Sequence, residues 1–323
     1  MTRAFAVFLL AVSATLLCAC DGPASMLPKS GGRPYEVLVV SSDKAVSHLL
    51  DSVLSQDAAG LPQSEPMFDV SEADSLHFNQ AAKLARNIVI LTVNPAVFTS
   101  VKIRYEKNVW AKPQMVAYVN APSAAAMMKS APQIGRHLAD LFTRAEMNVE
   151  ISRLAESNNA KAAAAVDSVL GCGIKIPADM KYSKKGDGFL WFSDNSARGM
   201  QNICVYAYPG DSLDPMKALA ARDSVMRRAI PGERQGMYMQ TVHGSVRYAL
   251  STEKGRTLMT RRGLWEMYGD AMGGPFVSHS VVDTARRRIV VAEAFVYAPE
   301  MKKRNLIRQA EAALYTLKVK SGE

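Results

Sequence analysis

The chain has 323 residues, 48% of them hydrophobic, with a formal net charge of +9 and four cysteines. That is an ordinary globular composition with room for one large or two medium cores, and no run beyond the first twenty residues is long and uncharged enough to span a membrane. A basic balance suits anionic lipid headgroups or anionic glycans, while the secretory start read next argues against nucleic acid.

Arg3 precedes an apolar run over residues 4–12, followed by Leu16-Leu17-Cys18-Ala19-Cys20. A charged start, a short apolar core and a small residue before the cut are the layout of a secretory signal. Here the cut exposes a cysteine, so residues 1–19 resemble a bacterial lipoprotein signal peptide. Cys20 has Ala19 before it and Leu17 three residues before it, whereas Cys18 follows the bulky Leu17, so the expected lipidation site is Cys20. The run is shorter than the ~20 residues a spanning helix needs. A diacylglycerol thioether plus an N-acyl chain would hold the protein stably at a membrane. The expected location is the cell envelope, as a lipoprotein of the outer membrane facing the periplasm. Residues 20–34 are rich in Gly, Pro and Ser and read as a flexible tether.

Residues 35–122 alternate strands and helices, an α/β pattern. A strand is expected over 35–40, and a helix over 44–55 with Val46, Leu49, Leu50, Val53 and Leu54 on one face. A second helix is expected over 75–85. Strands follow over 87–93, nearly all apolar, and over 114–119. Residues 123–170 read as a long helical connector, with Pro132 near its start, a break at Asn158-Asn159 and Gly171 as its C-cap.

Residues 171–323 differ. Strands are expected over 173–177, 188–192, 202–208, 237–242, 247–250, 275–283 and 288–297, interrupted by a helix over 215–228. A closing helix over 302–317 places Leu306, Ala310, Ala313, Leu314 and Leu317 on one face. The fold class is therefore α/β to α+β: an alternating N-terminal half, then a mainly antiparallel sheet with covering helices.

The string from Arg262-Gly263-Leu264-Trp265-Glu266 through Gly273-Gly274-Pro275-Phe276 is distinctive. So are Phe295-Val296-Tyr297-Ala298-Pro299, Trp110-Ala111-Lys112-Pro113, Ile174-Lys175-Ile176-Pro177 and Leu27-Pro28-Lys29-Ser30. Together they resemble an uncharacterised lipoprotein family of the Bacteroidetes, domain of unknown function 4837. The resemblance implies a lipid anchor and supplies no activity. The element order of the second half is also similar to the Mog1/PsbP-like α/β/α sandwich, a shape used by binding modules.

Candidate chemistry is sparse. The glycines of 269–274 are followed by Pro275 and by no Lys-Ser or Lys-Thr pair, so they read as a structural turn, not a phosphate loop. Glu266 and Asp270 would share one face of a short helix over 263–269, as paired carboxylates for glycan hydrolysis would need. His279 has Ser278, Ser280 and Asp283 nearby, but on a strand the serines face away from it. The five histidines show no metal-ligand spacing. Glu293 sits in an apolar strand and is expected to pair with a cation such as Arg247. Cys172 and Cys204 are read either as a disulfide or as two buried thiols. The clusters 286–288 and 302–304 read as a solvated turn and helix start, or as contacts for an anionic headgroup.

No catalytic, cofactor or metal residue is assigned. The expected function is that of a non-enzymatic binding or assembly module, with Trp265, Glu266, Asp270 and Phe276 as its partner surface. The other reading is an envelope glycan hydrolase using Glu266 and Asp270. Partners suited to the compartment are the membrane through the anchor, an envelope protein, an anionic glycan or a lipid.

Overall fold

The computed structural model describes residues 26–253 and 255–319, apart from the side chains of residues 182, 183 and 253. The expected signal peptide, with Cys18 and Cys20, lies outside the described residues.

The first half is a five-stranded sheet. Its elements are β1 (Glu36–Val40), α1 (Lys44–Leu54), β2 (Asp69–Ala73), β3 (Asn87–Val93), β4 (Lys102–Lys107), β5 (Met115–Ala121) and α2 (Ala124–Glu156). The order is β2-β1-β3-β5-β4, with parallel pairs except for the edge strand β4, which runs antiparallel to β5. Helix α1 starts where the Asp43 carboxylate accepts from the Ala45 and Val46 N–H groups. Its Val46, Leu50 and Leu54 pack with Met127, Ile134, Leu138 and Phe142 of α2 on one face of the sheet. Phe78, Val109 and Trp110 cover Val40, Ile88 and Val116 on the other. Covering on both faces is why β3 and β5 read as apolar runs.

The expected helix over 75–85 is instead two short 3₁₀ turns, Ser75–His77 and Ala82–Leu84. Asp74 and Asn79 each accept a nearby backbone N–H and so compete with helix continuation. The segment read as tether is docked from Pro28 onward. Ser30 N–H donates to the Lys112 carbonyl, Lys112 N–H to Pro28 and Gly31 N–H to Leu84.

The second half contains α3 (Ala160–Leu170), β6 (Cys172–Gly173), β7 (Tyr182–Gly186), β8 (Phe189–Ser193), β9 (Met200–Pro209) and α4 (Pro215–Ala229). Then come β10 (Tyr238–Glu253), β11 (Arg256–Tyr268), β12 (Gly273–Asp283), β13 (Arg288–Tyr297), α5 (Arg304–Leu314) and β14 (Lys318–Val319). Seven strands form an antiparallel sheet in the order β10-β11-β12-β13-β9-β8-β7. Helix α4 packs Val225 and Met226 against one face, and α3 and α5 cover the other. The result is a helix–sheet–helix sandwich.

The helical stretch is divided at Ser157, and Gly171 caps α3 in the left-handed region at φ 60°. Most of α2 packs on the first sheet, whereas α3 packs on the second. The strand expected over 173–177 shrinks to the two residues of β6, and those expected over 237–242 and 247–250 merge into β10 across a bulge. The short helix expected over 263–269 is the end of strand β11. Gly274, on the neighbouring β12, has an ideal Cβ position only 2.0 Å from the Val296 carbonyl oxygen, so no side chain fits there.

The two halves meet at α5. Its first N–H groups, on Lys303 and Arg304, donate to Glu65 at 2.7 and 3.0 Å, a cap supplied from the other half. Arg304 is buried and donates to Asp69 and to the Pro66 carbonyl. The cluster 302–304 is thus an interlock, not a solvated helix start.

Candidate functional site

The structure takes apart the surface that the sequence nominated. Trp265 and Phe276 are each 2% exposed, with the indole N–H donating to the Val296 carbonyl at 3.2 Å. They are core residues under α4 and offer nothing to a partner. Glu266 is exposed on the opposite side of β11 and accepts from Gln240 at 2.7 Å. Asp270 lies in the turn beyond the strand, bonded to the Ala271 N–H. With no helix there, the i,i+4 geometry that paired these two carboxylates is gone.

The other nominated groups are held within the fold and do not converge on a site. His279 faces α5, with its Nε2 3.7 Å from Glu311, while Ser278 and Ser280 face α4. Asp283 binds Arg286 and Arg288, and Arg288 also donates to the Leu170 carbonyl. No triad can form from these residues. Glu293 is paired with Arg222 of α4, not with Arg247, whose guanidinium donates to the Gly244 and Val246 carbonyls. Cys172 and Cys204 are separate buried thiols. Burial pushes Cys172 up to about 11 and Cys204 well above the usual thiol range, so neither is a nucleophile at neutral pH.

One grouping escaped the sequence. His48, Asp51 and Glu72 place potential metal-ligand atoms within 4.8 Å of one another. His48 and Glu72 are exposed, and the two carboxylates already accept from the Ser55 and Ser47 hydroxyls. This trio has the donor types for a cation but sits on an open surface.

The concave site is a groove between edge strand β4 and helix α2. Two adjoining cavities of 580 and 500 Å³ share Tyr105, Leu141 and Arg144. At ~3.4 Å per residue, β4 gives the groove a length of about 20 Å. Alternation along the strand turns Ile103 and Tyr105 into the groove, facing Ile134, Leu138 and Leu141 of α2. The floor is therefore mostly apolar.

Cations gather at one end. Lys107 and Lys112 are exposed there and Arg144 is exposed where the two cavities meet, with no carboxylate in ion-pair range among the described residues. Arg86 and Arg153 are neutralised by Glu146 and Glu150. Burial works against the Arg86 charge, but Glu146, 2.6 Å away, holds the guanidinium protonated. The Asn87 side-chain amide also donates to Glu146, so this wall is rigidly bonded. Sequence reasoning passed over β4 because all six of its residues are exposed and carry no burial signal.

No curated protein matches the chain. A 1.50 Å crystal structure from Bacteroides thetaiotaomicron VPI-5482 shares 12% identity over 46% of this chain and 45% of that one, with a TM-score of 0.22. The chain thus spans under half of that protein, and likeness at this level says nothing about function. Residues 30–155 match the family described as Domain of unknown function (DUF8532), and residues 159–316 match Domain of unknown function (DUF4837). The boundary between the two matches falls between α2 and α3, where the two cores divide, so one match spans the five-stranded sheet and the other the seven-stranded sheet.

Proposed function

We propose that this is a non-enzymatic binding module of the cell envelope, anchored through lipid on Cys20, that takes an anionic amphiphile in the β4–α2 groove. The observation that carries the reading is the pairing of an apolar trough with three uncompensated cations, Lys107 and Lys112 toward one end and Arg144 where the two cavities meet. An acyl-like body fits the trough and an acidic head fits the cations; a neutral polar ligand fits neither. The docked segment supports the geometry. Pro28 pairs beside Lys112 at the cationic end. Eight chain steps lead from it to Cys20, a reach of about 27 Å at full extension. A lipidated Cys20 would therefore keep the groove mouth near the bilayer.

The test uses the native protein in detergent, with native mass spectrometry against an acidic and a zwitterionic phospholipid. The acidic lipid should bind preferentially. At ~1 kcal/mol per cation, the triple substitution Lys107→Gln, Lys112→Gln and Arg144→Gln should weaken that binding about a hundredfold. Equal binding of both lipids, or no loss in the triple variant, ends the proposal. The N-terminal peptide should carry its acyl chains on Cys20; an unmodified Cys20 removes the anchoring half of the reading.

A further inference from the structure

The cationic end of the groove is also where the chain's own beginning arrives. The Pro28 carbonyl accepts from the Lys112 N–H at 2.9 Å, and the Ser30 N–H donates to the Lys112 carbonyl at 3.2 Å. These two bonds pin residues 28–30 beside Lys112, which lines the first cavity of the groove. Met26, the first described residue, is 95% exposed, and six chain steps lead from it to Cys20. At full extension six steps reach about 20 Å, the length of the groove itself.

The chemistry of that segment complements the groove. Cys20-Asp21-Gly22-Pro23-Ala24-Ser25 holds one acid, Asp21, and no base. With its amino group acylated, Cys20 adds no positive charge. A lipidated Cys20 followed by Asp21 is thus an anionic amphiphile, acyl chains with a carboxylate one residue away. Ile103, Ile134, Leu138 and Leu141 offer apolar surface to an acyl chain. Lys107 and Lys112, without an ion-pair partner among the described residues, offer charge to the carboxylate.

Tethering decides between this segment and a free lipid of the same chemistry. A short tether that can span the distance holds its ligand at an effective concentration of about millimolar. A free amphiphile, or the acyl chains of a second copy, must exceed that concentration to take its place. A bilayer does so easily, because it offers the acyl chains a far larger apolar volume.

We propose that the β4–α2 groove holds an acyl chain of this protein's own lipidated Cys20, with Asp21 against Lys107 and Lys112, whenever the protein is off the bilayer. This occupant rests on the amphiphile reading of the groove and on lipid at Cys20. Off the bilayer the groove shields the acyl chain from water. Once the acyl chains enter a bilayer, the groove is open to another anionic amphiphile.

The test takes the native lipidated protein with Tyr105 replaced by the photo-crosslinker benzoylphenylalanine, in buffer with detergent diluted below its micelle concentration. Tyr105 is 58% exposed, so the fold tolerates the change. Irradiation followed by peptide mass spectrometry should show position 105 joined to the acylated Cys20 peptide within a single chain, at a yield independent of protein concentration. Ile103→Asp, which puts a charge in the trough, should lower that yield at least tenfold, and zwitterionic phospholipid vesicles should do the same by taking up the acyl chains. Crosslinks only between chains, or a yield that neither Ile103→Asp nor vesicles reduce, would overturn the proposal. Capture of an added acidic lysophospholipid while the acylated Cys20 peptide stays free would exclude the internal occupant and leave the groove its amphiphile. Capture of neither would end both readings, and an unacylated Cys20 peptide would end the internal occupant together with the anchor.

Discussion

Arg261 and Arg262 are neighbours on one strand, yet they live on opposite faces of the large sheet and in opposite electrostatic circumstances. Arg262 reaches Glu311 of α5 in a two-pronged pair, with Nη1 2.8 Å from Oε2. Burial would push the Glu311 carboxyl up, but Arg262 and His279 together hold it well below the usual carboxylate range. Arg261, one residue back, lies near the Tyr206 and Tyr208 phenols, with no acid in ion-pair range among the described residues. The α5 face is a finished ionic contact that fixes a helix on the sheet. The α4 face combines a finished contact, Arg222 with Glu293, and an open one. A buried charge with its partner present is consistent with a structural role; a buried charge without an acid beside it lowers stability.

The sharpest way to break this comparison is to open the finished contact on the α4 side. Glu293→Leu leaves the Arg222 guanidinium buried against the Thr241 hydroxyl, the Met239 sulfur and the Phe276 ring, with Asp223 as the nearest remaining acid at 3.9 Å. The expected loss is about 3–5 kcal/mol, the usual cost of stranding one member of a buried pair. Urea denaturation measures it; a loss under about 1 kcal/mol would mean the pair is not closed as described.

The two neighbouring arginines should then respond with opposite signs. Arg262→Met strands Glu311, but the Arg262 side chain is 32% exposed, so solvent moderates the loss to about 2–3 kcal/mol. Arg261→Met removes an uncompensated charge and should be neutral to about 2 kcal/mol more stable. Acid probes the Arg262 side of the contrast. A carboxyl depressed in the folded state contributes stability above its unfolded value near ~4.3 and loses it as pH falls below that. Wild type therefore weakens on acidification, whereas the stranded Glu311 of Arg262→Met is easier to protonate and gains. The gap between them should narrow from pH 7 to pH 4. Matching signs for the two methionine variants would mean that Arg261 has a partner after all.

The same strand shows what the sequence could and could not reveal. Helix α1, strands β3 and β13 and the Gly171 cap follow from local periodicity and turn chemistry, and all were legible. Strand β11 was not. Its buried face is Arg261, Gly263, Trp265 and Met267, so an arginine and a glycine occupy positions where alternation is normally recognised by apolar residues. Their burial depends on α4 and on the adjoining strands, which a local pattern does not contain. The partners Glu311 and Glu65 act across 49 and 238 residues of chain respectively, beyond any window of spacing. Trp265 and Phe276 were rightly singled out as unusual, but their burial makes them core. The groove was invisible because β4 is exposed throughout and its concavity comes from α2 lying across the sheet.

The smallest expected effect concerns Glu266 and Asp270. Both are exposed, and the strand geometry of β11 denies them a common helical face. Glu266→Gln keeps the contact to Gln240 as an amide, and Asp270→Asn keeps an acceptor for the Ala271 N–H. The double variant should change stability by no more than about 0.5 kcal/mol, as surface substitutions do away from caps and buried pairs. A glycan hydrolase would respond quite differently, because losing both its acid and its base or nucleophile abolishes turnover whatever happens to stability. Complementation of an envelope phenotype by the double variant therefore separates the readings. Full rescue excludes chemistry at these carboxylates, while failure to rescue with unchanged folding would restore them as a catalytic pair.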